Sequence, residues 1–140
     1  MKHFCLNLMM VLLSTSAFSQ ADSNEAKRLL DIQAKCWNNG DLYGFMDTYW
    51  KSDSLLFIGK NGVARGWDRT LSNYQKKYPD TVAMGKLSFD ILEQKKLSAE
   101  LYFLIGKYTL KRTADTVSGI FSLLIQKKND KWVIIADHTP

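Results

Sequence analysis

The chain contains three stretches in which apolar residues recur at helical spacing. Asp22 or Ser23 can cap the first helix, and Asn39-Gly40 can end it because glycine accepts a left-handed conformation. Asp41 can cap the second helix, and Pro79 stops the third. The residues at this spacing are Ala26, Leu29, Leu30, Gln33 or Ala34, and Trp37, then Leu42, Phe45, Met46, Tyr49 and Trp50, then Trp67, Leu71, Tyr74 and Tyr78.

Strand patterns occupy the rest of the chain. Residues 55–58 and 63–65 form a predicted hairpin around Asn61-Gly62, a pair that favours a type I′ turn. Short turns between longer apolar runs then predict an antiparallel meander. Its four strands are expected at residues 84–95, 99–112, 116–126 and 132–138, with turns at Leu97-Ser98, Thr113-Ala114 and Asn129-Asp130.

This order predicts an α+β fold in which three N-terminal helices pack on a strongly curved antiparallel sheet, giving a cone-shaped α+β barrel. Both faces of the last strand are apolar. Trp132 and Ile134 are expected on one face, and Val133 and Ile135 on the other. Since a monomer covers one face only, we expect a homodimer through the outer face of the sheet.

The first 19 residues have the pattern of a secretory signal peptide. A basic start is followed by an apolar run from Phe4 to Leu13, and Ala17-Phe18-Ser19 places small residues at the positions read by a signal peptidase. The domain would then span residues 20–140. We expect the protein to be exported, periplasmic or secreted, with no membrane segment after cleavage.

Composition narrows the classes of function. The net charge of +5 is mild and its lysines are scattered, which argues against nucleic acid as a partner. Only Cys36 follows the predicted cleavage site, so no internal disulfide is expected. One histidine in the same part of the chain supplies too few ligands for zinc. We expect neither metal nor cofactor. The aromatic content of 12% suits a core or pocket built from large rings.

Three landmarks in this order resemble the SnoaL-like branch of the nuclear-transport-factor-like, or ketosteroid-isomerase-like, superfamily. They are the Trp37-Asn38-Asn39-Gly40-Asp41 turn, the Gly62 to Gly66 hairpin, and the terminal segment from Trp132 to His138. The chain is most similar to small exported members of unknown function. The resemblance implies a deep pocket between helices and sheet, commonly in a dimer. Because this superfamily hosts isomerases, dehydratases, cyclases, epoxide hydrolases and binding or assembly domains, the fold does not choose a function.

His138 and Asp137 are the candidate catalytic residues. Strand alternation places His138 on the face of Trp132, and the resemblance implies that this histidine reaches the pocket, where it can act as an acid or base. A local hydrogen-bonding role near the end of the strand is the alternative. Asp137 would point to the opposite face unless a β-bulge intervenes.

The candidate pocket residues are mainly aromatic. Arg112 would favour an anionic ligand, although it can also lie in solvent at a strand end. For the tryptophans, packing in the core is the alternative. The set is Trp37, Tyr49, Trp50, Trp67, Tyr102, Tyr108, Arg112 and Phe121.

Three functions follow as hypotheses. The first is an exported domain that binds a small molecule in a deep, partly apolar pocket. The second is a cofactor-independent isomerase, dehydratase or cyclase that uses His138 as its acid–base group. The third is a homo-oligomeric interaction or assembly domain.

Overall fold

The computed structural model describes residues 17–140, with side chains from residue 25 onward. The predicted signal peptide, residues 1–19, therefore lies almost wholly outside the described residues. Within them, no helix is long and apolar enough to cross a membrane. The helices are α1 (Ala17–Asn38), α2 (Leu42–Met46), α3 (Trp67–Lys77) and α4 (Thr81–Met84). The strands are β1 (Leu56–Gly59), β2 (Gly62–Arg65), β3 (Lys86–Ser98), β4 (Leu101–Lys111), β5 (Thr116–Lys128) and β6 (Lys131–Thr139).

The helices begin and end partly as predicted. The expected cap at Asp22 or Ser23 is wrong, since α1 begins at Ala17 and runs through both residues. The second helix is shorter than its apolar stripe and ends at Met46. Beyond it, Tyr49 forms a β-bridge with Ile134, so pairing with the sheet takes over from helical hydrogen bonding. The short helix α4 was not predicted.

The turn between α1 and α2 ties the helices to the sheet. The Asn38 side chain donates to the Leu87 carbonyl at 3.0 Å and accepts from the Leu87 N–H at 2.7 Å, which joins the end of α1 to the start of β3. Gly40 has φ of +75° and reverses the chain. The predicted Asp41 cap is confirmed, because its carboxylate accepts from the Gly44 N–H at 2.8 Å.

The sheet has six strands in the order β2-β1-β6-β5-β4-β3. The antiparallel meander from β3 to β6 and the β1–β2 hairpin are confirmed. The all-antiparallel prediction is wrong at one junction, where β1 pairs with β6 in parallel. A two-stranded hairpin is marginal by itself, and it gains a partner for its backbone at the edge of β6. The sheet is mixed and not closed, with β2 and β3 at its edges.

The hairpin turn lies one residue earlier than predicted. Gly59 pairs with Gly62, so the loop consists of Lys60 and Asn61. Gly62 has φ of +107°, whereas Asn61 is not in the left-handed region. The predicted turn at Asn129-Asp130 is confirmed, with φ of 48° and 60°.

The core lies between the helices and the inner face of the sheet. Inner-face residues of β4 and β5 are buried, among them Leu104, Leu110, Leu123 and Ile125. The helices therefore cover one face of the sheet, and no other described element covers the opposite face. The predicted α+β class, with helices packed on one face of the sheet as a cone, is confirmed.

Candidate functional site: an aromatic cavity with a buried carboxyl group

A cavity of about 350 Å³ lies between the helices and the inner face of the sheet. Its exposed lining residues include Lys60, Asn73 and Lys77, and we call this solvent-facing part of the lining the mouth. Asp137 contributes a buried polar group to the lining and is only 4% exposed. The other walls are mainly aromatic and aliphatic. Aromatic residues of this lining are Trp37, Phe45, Tyr49, Phe57, Tyr74, Tyr78, Phe89, Tyr108 and Phe121.

The wall rings hold one another in place. Trp37 makes edge-to-face contacts with Phe45 and Tyr78, with ring centroids 5.2 and 4.8 Å apart. Its indole N–H donates to the Met84 carbonyl at 3.0 Å, so the ring orientation is set by a buried hydrogen bond. These contacts make the cavity wall a packed surface instead of a set of loose side chains.

A glycine in β4 makes room for a ring of the sheet wall. Gly106 lies opposite Phe121 in the β4–β5 register. A Cβ atom at Gly106 would collide with the Phe121 ring. The Phe121 ring can therefore occupy the space beside Gly106, in contact with Phe89 at a centroid distance of 5.4 Å.

The Asp137 carboxyl group accepts one hydrogen bond on each oxygen. The Tyr49 hydroxyl donates to Oδ2 at 2.6 Å, and the Thr139 hydroxyl donates to Oδ1 at 2.6 Å. Tyr49 is 3% exposed, so this donor is as deeply buried as its acceptor. An ionised carboxylate has about four lone-pair positions. Asp137 can therefore accept a further hydrogen bond from a molecule in the cavity.

Burial changes the acidity of this cluster. It raises the pKa of Asp137 to about 6, although the hydrogen bonds from Thr139 and Tyr49 and the charge of His138 act in the opposite direction. Burial and the negative charge of Asp137 also raise the pKa of Tyr49 and of Tyr74 well above the usual value, so both phenols stay protonated near neutral pH. Asp137 is the group here that can gain or lose a proton close to neutrality.

The expectation that His138 faces the pocket is wrong. Ile125 pairs with Ile134, whereas Leu124 pairs with Ala136, so Ile135 is an extra residue in β6. This β-bulge reverses the alternation beyond it. As a result Asp137 and Thr139 line the cavity, and His138 is exposed on the outer face. The sequence predicted that Asp137 would share the pocket face only if a β-bulge intervened, and this bulge is present.

Only some of the predicted pocket residues line the cavity in the structure. Trp37, Tyr49, Tyr108, Arg112 and Phe121 line it. The other three do not, and this part of the expectation is corrected. Trp67 is a core residue whose indole donates to the Met46 carbonyl at 2.8 Å, Tyr102 packs on Trp132 at 5.2 Å, and Trp50 lies under the Lys128 amine at 4.5 Å.

Several lining residues were not predicted. Phe57 belongs to β1. Because the parallel pairing of β1 with β6 was not predicted, the sequence did not indicate that Phe57 lies opposite Asp137. Phe89 and Leu87 lie on the alternating face of β3, and that alternation was a usable signal. In the described part of the chain, no three His, Cys, Asp or Glu side chains are grouped so that they could hold a metal ion.

The raised pKa of Asp137 predicts a pH-dependent stability. Between its ordinary value of 3.8 and about 6, the folded chain binds a proton that the unfolded chain does not. The resulting stabilisation is complete below pH 3.8 and is lost as pH rises through 6. Asp137→Asn cannot titrate. We expect the free energy of unfolding of wild type, relative to this variant, to fall by about 2 kcal/mol between pH 4 and pH 7 in urea titrations.

The matched control is Asp90→Asn, which removes an exposed carboxylate from β3. Its stability should follow wild type across the same pH range. If the stability difference between wild type and Asp137→Asn stays constant with pH, the proposed protonation of Asp137 in the folded state is refuted.

Comparison with known proteins shows which structures share this fold. No protein-family model and no curated protein matches the chain. An NTF2-like protein of unknown function from Shewanella oneidensis MR-1 is 40% identical in its crystal structure, with a TM-score of 0.82 over 85% of this chain and 99% of that one.

More distant structures share the fold. An NTF2-like protein of unknown function from Pseudomonas putida KT2440 is 13% identical, with a TM-score of 0.68 over 86% of each chain. A putative calcium/calmodulin-dependent protein kinase II association domain from Xanthomonas campestris is 16% identical, with a TM-score of 0.65 over 84% of this chain and 86% of that one. With the helix-covered sheet described above, the identity to the Shewanella protein shows that this chain belongs to the NTF2-like superfamily.

Proposed function

We propose that this chain is an exported protein that binds a small, partly apolar molecule in the aromatic cavity. One observation carries the proposal: a cavity of about 350 Å³ has packed aromatic walls and a buried carboxyl group with spare hydrogen-bonding capacity. Binding sites for small molecules usually have about 300 to 1,000 Å³, apolar walls and a few placed polar groups. An acid–base enzyme built on His138 receives no support, because that side chain lies outside the cavity.

A fluorescent apolar probe tests this proposal. N-phenyl-1-naphthylamine is uncharged at neutral pH and brightens in apolar sites, and we expect it to bind saturably at one site per chain. Val117 lines the cavity, whereas its neighbour Ser118 is exposed. Val117→Trp should fill the space and weaken binding by about tenfold or more, or about 1.4 kcal/mol. Ser118→Trp should leave the affinity within about twofold.

Two outcomes would oppose the proposal. Wild-type protein that gives no saturable fluorescence change has no accessible cavity. Equal affinities for wild type and Val117→Trp would place the probe elsewhere on the surface. Circular dichroism and the urea midpoint of each variant separate a blocked cavity from a damaged fold.

We also propose that the protein is a homodimer through the outer face of the sheet. This outer face consists of side chains that point away from the helices on β1, β2, β4, β5 and β6, and the exposed His138 of β6 lies on it between Ile58 and Ser122. Val63 and Ile120 on it are 53% and 51% exposed, and the strand registers place half-buried apolar neighbours between them. These neighbours are Ile58, Phe103, Ile105 and Leu124. Exposed apolar side chains of this kind typically mark an interface, and one structural neighbour is an association domain.

A charge on the outer face should separate the subunits. Leu124 lies between Phe103 and Ala136 in the strand registers, near the middle of this face. Leu124→Lys should give a monomer in sedimentation equilibrium at micromolar concentration, because dimerisation would bury an unpaired ammonium group. Ile120→Lys, at a more exposed position, tests the same face with less risk to the fold.

The control is Val82→Lys. Val82 is 68% exposed on α4, away from the sheet, and its substitution should leave a dimer. A wild-type protein that sediments as a monomer would refute the proposed interface.

Export is testable through the mass of the mature chain. If residues 1–19 are a signal peptide, protein recovered from the periplasm or medium should begin at Gln20 when the complete chain is expressed. Intact mass spectrometry distinguishes this product from the full-length chain. An uncut protein confined to the cytoplasm would contradict export.

A further inference from the structure

The mouth of the cavity carries positive charge from three different elements. Lys60 lies in the β1–β2 turn, Lys77 is the last residue of α3, and Arg112 follows β4. All three line the cavity. Because they come from separate elements, the fold itself brings these cationic side chains to one cavity.

The two lysines are the cations available to a ligand. Asp115 already binds Arg112 through two hydrogen bonds of 2.6 Å, to Nε and Nη2. Across the described residues, no carboxylate lies within ion-pairing distance of Lys60 or Lys77. The Lys77 amine lies 5.3 Å from the Tyr78 ring centroid, which holds it beside the aromatic wall.

The buried part of the lining favours an uncharged hydrogen-bond donor over an anionic group. Asp137 is the one acidic side chain among the described lining residues. Its two oxygens already accept hydrogen bonds from Tyr49 and Thr139, and their remaining lone pairs can accept a donor from the ligand. A second negative charge beside this carboxylate would be repelled, whereas a hydroxyl group would be bound.

Resting on the proposed binding function, we infer that the ligand is a ring-containing organic anion. Its anionic group lies between Lys60 and Lys77 at the mouth. Its apolar rings pack on Phe57, Tyr74 and Phe121, and a hydroxyl group at the far end donates to Asp137. The charged groups thus orient the ligand, and the aromatic walls supply most of the buried area.

Naphthalene derivatives separate these contributions. The probe is 6-hydroxy-2-naphthoate, which carries a carboxylate and a hydroxyl group at opposite ends of a rigid ring system. Its comparators are 2-naphthoate, which lacks the hydroxyl group, and 2-naphthol, which lacks the carboxylate. Dissociation constants are measured at pH 7.5 and low salt, by calorimetry and by displacement of N-phenyl-1-naphthylamine.

We expect 6-hydroxy-2-naphthoate to bind about tenfold more tightly than either comparator. Lys60→Gln combined with Lys77→Gln should weaken its binding by about tenfold and leave 2-naphthol within about twofold. The matched control combines Lys35→Gln with Lys51→Gln, which removes the same charge from exposed positions on α1 and in the loop after α2, outside the cavity and away from the outer face of the sheet. This control should bind all three compounds as wild type does.

Asp137→Asn tests the buried end. An amide must offer its NH₂ group toward one of the two hydroxyl donors, so it is a poorer acceptor for the ligand. In this variant 6-hydroxy-2-naphthoate and 2-naphthoate should bind with equal affinity. If the variant keeps the full preference for the hydroxyl compound, the assigned orientation is overturned.

The remaining outcomes distinguish this inference from the proposed function. If N-phenyl-1-naphthylamine binds and none of the naphthalene compounds displaces it, the inferred ligand class is wrong and the binding function stands. The same conclusion follows if 2-naphthol binds as tightly as the carboxylates, or if the Lys60 and Lys77 substitutions have no effect. If N-phenyl-1-naphthylamine fails to bind as well, both proposals fall.

Discussion

One extra residue in β6, Ile135, determines which side chains of the last strand enter the cavity. The pairing with β5 passes from Ile134 to Ala136 and skips Ile135, so the side-chain alternation reverses there. Asp137 therefore faces the helices, and His138 faces away from them. The same strand pairs with β1 in parallel, and the register puts Phe57 beside Asp137. The buried carboxyl group of the cavity, and therefore its acidity, depends on this single irregularity.

A carboxyl group in such surroundings is stable only because its partners are buried with it. Removal of a carboxylate from water is unfavourable unless hydrogen bonds replace those of the solvent. Tyr49 and Thr139 provide one each, and the elevated pKa of Asp137 shows that they offset only part of the penalty. The site is consequently balanced between its charged and neutral forms near pH 6. This balance suits a pocket in which an arriving polar group completes the hydrogen bonding of the carboxyl group.

Most elements could be predicted from the sequence because their signals are local. Asp41 caps α2 by accepting a hydrogen bond from the N–H of Gly44, three residues later, and α3 ends before Pro79. Cavity residues on regular elements could be found in the same way. Tyr108 and Phe121 lie on the buried alternation of β4 and β5, and Trp37 lies on the apolar stripe of α1. By contrast, Trp67 follows the same helical pattern but belongs to the core. An apolar helix face alone does not distinguish residues that line the cavity from residues that are packed in the core.

The sequence by itself determined the α+β class, the order of the elements and the supply of aromatic residues, because spacing and turn chemistry act over a few positions. Tertiary structure alone decided the site. The bond between Tyr49 and Asp137 joins residues 88 positions apart, and the bulge at Ile135 exists only through pairing with β5. Both depend on contacts between distant segments, and such contacts leave no periodic trace in the chain. For that reason the pattern pointed to His138, and the folded chain buries Asp137 instead.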